Sequence, residues 1–158
     1  MDIQKRFEEM LVPVSEKINE ECQNFLPDSG DRIPPPTYIR STFQLIKKEL
    51  METLEIITLI NPSKTGWKAI RETGVDFIKE QSEMLQKEYC RRWSRAYFNE
   101  KEFEILVKEV TAEYHTFIDG QIMNLEKINK KHLYDIIKGV VAAILGSIII
   151  YYITGHFF

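Results

Sequence analysis

Cysteine is scarce in this 158-residue chain. Cys22 and Cys90 are the only two, and no Cys-x-x-Cys or zinc-ligand spacing joins them. So few thiols suit a reducing compartment. A glycine-rich phosphate loop and a nucleophile elbow are both missing, which removes the familiar routes to nucleotide hydrolysis and acyl transfer. The one Asn-x-Ser triplet, Asn61, Pro62 and Ser63, is spoiled as a glycan acceptor by its proline. The N-terminal residues MDIQKRFEEM hold no apolar run, so no cleavable signal peptide is expected. Positive charge in excess is absent too. A net charge of −3 and a pI near 5.7 argue against a general nucleic-acid binder.

The most informative absence lies at the end. Residues 139–158, GVVAAILGSIIIYYITGHFF, carry no charged side chain apart from His156. Twenty helical residues span about 30 Å, the thickness of a bilayer's hydrocarbon core. Ten are of the strongest membrane-seeking types: Val140, Val141, Ile144, Leu145, Ile148, Ile149, Ile150, Ile153, Phe157 and Phe158. Together they favour insertion by about 3–6 kcal/mol. Tyr151 and Tyr152 lie deeper than an aromatic belt requires, and no proline interrupts the stretch. A core helix of a soluble bundle would be shorter and amphipathic. The segment therefore reads as a single transmembrane helix.

Orientation follows from its flanks. Lys127, Lys130, Lys131 and Lys138 precede the stretch, and no lysine or arginine follows it. The positive-inside rule keeps the preceding residues in the cytosol. The expectation is a tail-anchored protein, inserted after synthesis, with 1–138 as a cytosolic domain and 139–158 as its anchor. An isoleucine-rich anchor without trailing basic residues favours endoplasmic reticulum and secretory membranes over the mitochondrial outer membrane. In a bacterium it would mean the inner membrane.

Residues 1–138 suffice for one domain with its own core. Their apolar spacing is helical nearly throughout. The first helix is expected over 2–25, with Ile3, Phe7, Leu11, Val14, Ile18 and Cys22 on one face and Pro13 kinking or splitting it. The second is expected from Ser41, a good N-cap, to Ile60. Asn61, Pro62 and Gly66 break the pattern. The third runs over 67–98, weakened at Gly74 by about 1 kcal/mol relative to alanine. The fourth begins near Glu100, with a stripe from Phe103 through Tyr114 and Ile118 to Leu133 and Ile136, and Asp119 with Gly120 marks a point of interruption. Short connections imply antiparallel neighbours, hence an all-α up-and-down bundle of about four helices followed by a membrane helix. A coiled coil competes for the last helix, but its apolar steps drift from strict heptads.

Four features are candidates for function. Pro35, Pro36, Thr37 and Tyr38, preceded by Pro34, resemble a PPxY ligand for WW domains. Consecutive prolines preform a polyproline II helix, which binds at little ordering cost. WW-domain proteins, ubiquitin ligases among them, would then be partners. The plainer reading is a stiff loop with Tyr38 packing at the start of the second helix. Next, Lys87, Arg91, Arg92 and Arg95 surround Trp93, a patch that suits anionic headgroups or an acidic partner. More ordinarily it is a solvated face paired with glutamates. Third, Gly139, Ala143 and Ser147 recur at steps of four, as do Ala142 and Gly146. Such small-residue spacing lets membrane helices pack closely and is a candidate face for a homo-oligomer. Last, His115 and Asp119 share one helical face as two metal ligands would, yet the sequence offers no third. No metal, cofactor or enzymatic activity is expected.

These features imply a membrane-held, non-enzymatic adaptor or regulator that recruits protein partners. The plan of a helical domain with a C-terminal anchor also resembles the Bcl-2-like apoptosis regulators. Their Asn-Trp-Gly-Arg signature is absent here, where Thr65, Gly66, Trp67 and Lys68 are no substitute. A SNARE-like tethering protein is a third alternative. It demands a long heptad helix abutting the anchor, which Asp119, Gly120 and the drifting register oppose.

Overall fold

The structure is a computed structural model that describes residues 2–24, 38–93 and 97–155, with Asn24 and 147–155 described by backbone alone. The architecture is all-α. Four helices make it up: α1 (Ile3–Asn24), α2 (Tyr38–Thr58), α3 (Lys64–Arg92) and α4 (Glu100–Gly155). Packing divides the chain into two compact units, Met1–Gly120 and Gln121–Phe158.

The first unit is a four-helix bundle made of α1, α2, α3 and the start of α4. Its directions follow from which residues meet. Lys17 pairs with Glu49 at 2.7 Å and Cys22 meets Thr42 at 3.9 Å, so α1 and α2 run antiparallel. Tyr114 on α4 lies against Gly74 on α3, and Phe117, one turn further along α4, meets Trp67, two turns back along α3, with centroids 6.4 Å apart, so α3 and α4 run antiparallel as well. Gln81 donates to Ser15 at 2.9 Å, and Gly66 lies beside Ile3, which makes α1 and α3 parallel. Arg40 to Glu102 and Lys47 to Glu113 do the same for α2 and α4. Up-and-down order results, as the short connections predicted.

The core is continuous through this unit. Phe7, Leu11, Val14 and Ile18 of α1 are buried with Phe43, Ile46, Leu50, Leu54 and Ile57 of α2. Trp67, Ile70, Phe77, Ile78 and Leu85 of α3 join them, and Phe103, Val110, Tyr114 and Ile118 of α4 complete it. These are the steps of three and four visible in the sequence.

Each helix end has a local cause. Asp2 accepts from the Gln4 amide at 3.0 Å and opens α1. Asn61, with φ of 53°, closes the turn after α2 in the left-handed region that asparagine tolerates. Ser63 then caps α3 by accepting from the Gly66 amide at 3.1 Å. Asn99 caps α4, accepting from the Glu102 amide at 3.2 Å, with Glu100 and Glu102 in the first turn favourably placed against the helix dipole.

Four local expectations are corrected. Pro13 lies inside α1 without splitting it. Pro13 and Glu9 are both exposed, so water can take the carbonyl that the proline leaves unbonded. α2 starts at Tyr38 rather than Ser41, because the buried Tyr38 ring fixes the first turn. α3 ends at Arg92, short of residue 98. Trp93 is extended, and the Tyr89 hydroxyl donates to the Tyr97 carbonyl at 3.1 Å. In an unbroken helix those two residues would stand about 12 Å apart along the axis, so the chain must turn back. Finally, α4 passes through Asp119 and Gly120 without interruption. Past that point the expected buried stripe stops: Ile122 and Leu125 are half-buried, while Ile128, Leu133 and Ile136 are exposed.

Among the described residues no helix is long and apolar enough to cross a membrane. The described side chains of the expected span end at Gly146.

Candidate functional site

Tyr38 is the one residue of the WW-ligand-like motif within the described residues; Pro35 and Pro36 lie outside them. Its ring is fully buried. It packs edge-on against Trp93, centroids 5.1 Å apart, and against Tyr89 at 6.2 Å. The cluster continues from Tyr89 to Phe98 at 5.4 Å, from Phe98 to Phe103 at 5.1 Å, and from Phe103 to Phe43 at 5.2 Å. Aromatic rings from α2, α3, α4 and the α3–α4 connection thus lock one end of the bundle. A WW domain would have to pull Tyr38 out of this cluster to hold it.

Beside the cluster is a cavity of about 490 Å³, lined by Cys22, Tyr38, Leu85, Glu88 and Arg92 among others. Burial pushes the Cys22 thiol and the Tyr38 hydroxyl above their ordinary pKa values; Cys22 adds to the rise at Tyr38, whereas Thr42 and Tyr38 work against the rise at Cys22. Neither is a ready nucleophile or base at neutral pH.

The basic patch does not survive as a block of free charge. Glu88 accepts two bonds from Arg91, at 2.8 and 2.6 Å, and pairs with Arg92 as well. Chiefly through the Arg91 bonds, against the opposing effect of burial and with help from Arg92, its carboxyl pKa is lowered to about 2. Arg92 is largely covered and Trp93 is buried. Lys87 is exposed, and Arg95 lies outside the described residues. The face is an arginine pair centred on one glutamate, capped by a core tryptophan.

His115 and Asp119 do not converge on a metal site. Asp119 pairs with Arg71. His115 is half-buried, and its Nε2 has no hydrogen-bond partner among the described residues. Among the described residues no cluster of three His, Cys, Asp or Glu side chains could hold an ion.

In the second unit, Gly139 and Gly146 stand in open space, with no heavy atom within 4 Å of where a Cβ would sit. Ala143 is exposed and Ser147 lies beyond the described side chains. At 100° per residue, Gly139, Ala142, Ala143 and Gly146 share one side of α4. The large side chains Ile136, Ile137, Val140, Val141, Ile144 and Leu145 occupy the remainder, all exposed.

The sequence reading missed a close approach between α3 and α4. The Tyr114 hydroxyl donates to the Ile70 carbonyl at 2.5 Å, and Tyr114 is fully buried. The ring passes directly over Gly74, where a Cβ would overlap the hydroxyl oxygen and lie 2.8 Å from Cε1. Gly74 is therefore a notch rather than a weak point. A glycine inside an otherwise strong helical pattern was the available signal. Its partner, forty residues on, left none.

Compared with known proteins, the chain matches no family model, no curated protein and no solved structure.

Proposed function

We propose that this protein is a non-enzymatic adaptor or regulator, held at a membrane by a single span over residues 139–158, whose helical bundle recruits protein partners at the cytosolic surface. The observation that carries the reading is the exposure of large apolar side chains all along 136–145, at the start of a stretch whose sequence stays apolar to residue 158. In water such a surface is costly at about 25 cal/mol per Å² of apolar area, and a bilayer removes that cost. The lysines before the stretch orient the bundle toward the cytosol, and the anchor's composition favours endoplasmic reticulum and secretory membranes.

The non-enzymatic part rests on how the reactive side chains are used. Cys22 and Tyr38 are buried in packing, Asp119 pairs with Arg71, and Glu88 is committed to two arginines.

Alkaline carbonate extraction of the full chain tests the span. Retention in the membrane pellet is expected. Ile148→Arg with Ile149→Arg puts two charges mid-span at a cost of about 5–7 kcal/mol, enough to offset the 3–6 kcal/mol that favours insertion, so this variant should be released. Release of the unaltered chain would refute the reading. A Bcl-2-like role gains no observation from the bundle. For the SNARE-like alternative one objection falls, since α4 is unbroken at Gly120, while the drifting heptad register stands.

A further inference from the structure

The charge of this chain is sorted along its length. Four of its 21 basic residues fall between positions 127 and 138, against one of its 24 acidic residues, Asp135. That segment carries three net positive charges, while the residues before it carry six net negative ones. On a helix at 100° per residue, Lys127, Lys130, Lys131 and Lys138 fall within an arc of about 100°. All four are exposed, and none forms an ion pair among the described residues. Glu126 and Asp135 fall at the two rims of the arc, outside it. Tyr134 lies within it, and the Lys138 ammonium sits 4.5 Å from the Tyr134 ring centroid.

This contrasts with the arginines near Trp93, which Glu88 neutralises. The unneutralised basic surface of the described residues that adjoins the apolar stretch is the lysine face. Ile136 lies across the helix from the lysines, Ile128 and Leu133 flank it, and Ile137 borders the lysine arc; all four are apolar and exposed. A lysine face with exposed apolar side chains across the helix from it is the pattern of a segment at a charged bilayer surface.

We propose that Lys127, Lys130, Lys131 and Lys138 form a docking face for anionic phospholipid headgroups, so that the protein selects negatively charged membranes. The proposal rests on the span proposed for residues 139–158, which brings these lysines to the headgroup layer. Lys138 adjoins the span. Lys131 and Lys130 lie about 10–12 Å further along the helix and Lys127 about 16 Å. With a screening length of about 8 Å at physiological salt, the first three carry most of the attraction and Lys127 the least. Each lysine close to an anionic surface is worth roughly fivefold in binding.

The test is flotation of the full chain with vesicles of phosphatidylcholine, or of phosphatidylcholine with a third replaced by phosphatidylserine, at low and high salt. The bound fraction is then washed with carbonate. The phosphatidylserine vesicles should recruit more protein, and high salt should erase the difference. Lys130→Gln with Lys131→Gln should cut the advantage about 2- to 5-fold, less than two lysines at the surface itself would give because both stand more than one screening length from Lys138. Lys87→Gln, a control outside the face, should leave it intact. Equal recruitment by both vesicles with carbonate-resistant binding overturns the lysine face and leaves the span standing. A phosphatidylserine preference that carbonate abolishes retains the face and removes the span. Loss of the preference in Lys87→Gln overturns the assignment. So does tighter, Lys130- and Lys131-dependent binding of a short DNA duplex in place of the vesicles, which would make the face a nucleic-acid surface.

Discussion

Gly74 and Tyr114 meet so closely that no side chain fits at position 74 without moving the tyrosine ring. Gly74→Ala would gain about 1 kcal/mol of helix propensity. The added methyl must displace a buried ring that is held by its own hydrogen bond, and overpacking of this kind costs about 1–3 kcal/mol or more. The variant should therefore be less stable in urea denaturation, despite the better helix former. Pairing it with Tyr114→Leu, which vacates the space, should give a loss smaller than the sum of the two single losses. Tyr38 belongs to the same class of residue. Removing its buried ring as Tyr38→Ala should cost about 3–5 kcal/mol, so loss of a binding partner in that variant would report unfolding before recognition. Glu88 makes a different prediction, in pH. Its carboxyl is held at about 2, below the ordinary 4.5, so it contributes stability above the unfolded value and loses it as pH falls from 4.5 toward 2. Glu88→Gln should melt lower than the unaltered protein at neutral pH. The gap between the two melting temperatures should close across that acidic window. A gap that stays constant down to pH 2 would mean the arginines do not set the glutamate's charge.

The helices were legible in sequence to the extent that local chemistry sets them. The apolar steps of α1 name its buried residues almost one for one, because a helix that must hide one face writes that face at a period of 3.6, while in α2 the same reading takes in Leu59, which is exposed, and passes over the buried Thr42, Glu49 and Thr53. The start of α4 near Glu100 was visible because a helix opening is decided within one turn, here by the Asn99 cap. The end of α3 was not visible. Periodicity continues past Arg92 to Tyr97 in the letters, but the chain leaves the helix so that residues 97 and 98 can cover Tyr89, a tertiary demand that no local window contains. The candidate sites fared by the same logic. The pairing of Arg91 and Arg92 with Glu88 is a three- and four-residue relation and was anticipated. The notch at Gly74 depends on a residue in another helix and was not. Capping gives the test at this scale. Ser63→Ala and Asn99→Ala each remove a side-chain acceptor from a helix start and should each cost about 1 kcal/mol in urea unfolding. Because the two caps are on different helices without shared partners, the losses should add.

Across the molecule the buried core runs from Phe7 to Ile118 and stays within the first compact unit. A chain ending at Gly120 contains every buried side chain of the described residues. It should fold cooperatively, with a far-ultraviolet signal of high helicity and a single melting transition near that of the full chain. A non-cooperative melt would show that residues after 120 complete the core. Charge is divided along the same line, since the first unit is acidic overall and the lysines of 127–138 lie beyond it.

A core that closes at Ile118 also has a meaning for turnover. Lysines at 127, 130 and 131 are exposed, and each is a place where a trypsin-like protease can cut. Any such cut falls outside the buried core and separates it from the segment proposed as the anchor. On that proposal, one proteolytic event would convert a protein held at a membrane into a freely diffusing bundle, with its core preserved and its local concentration lost.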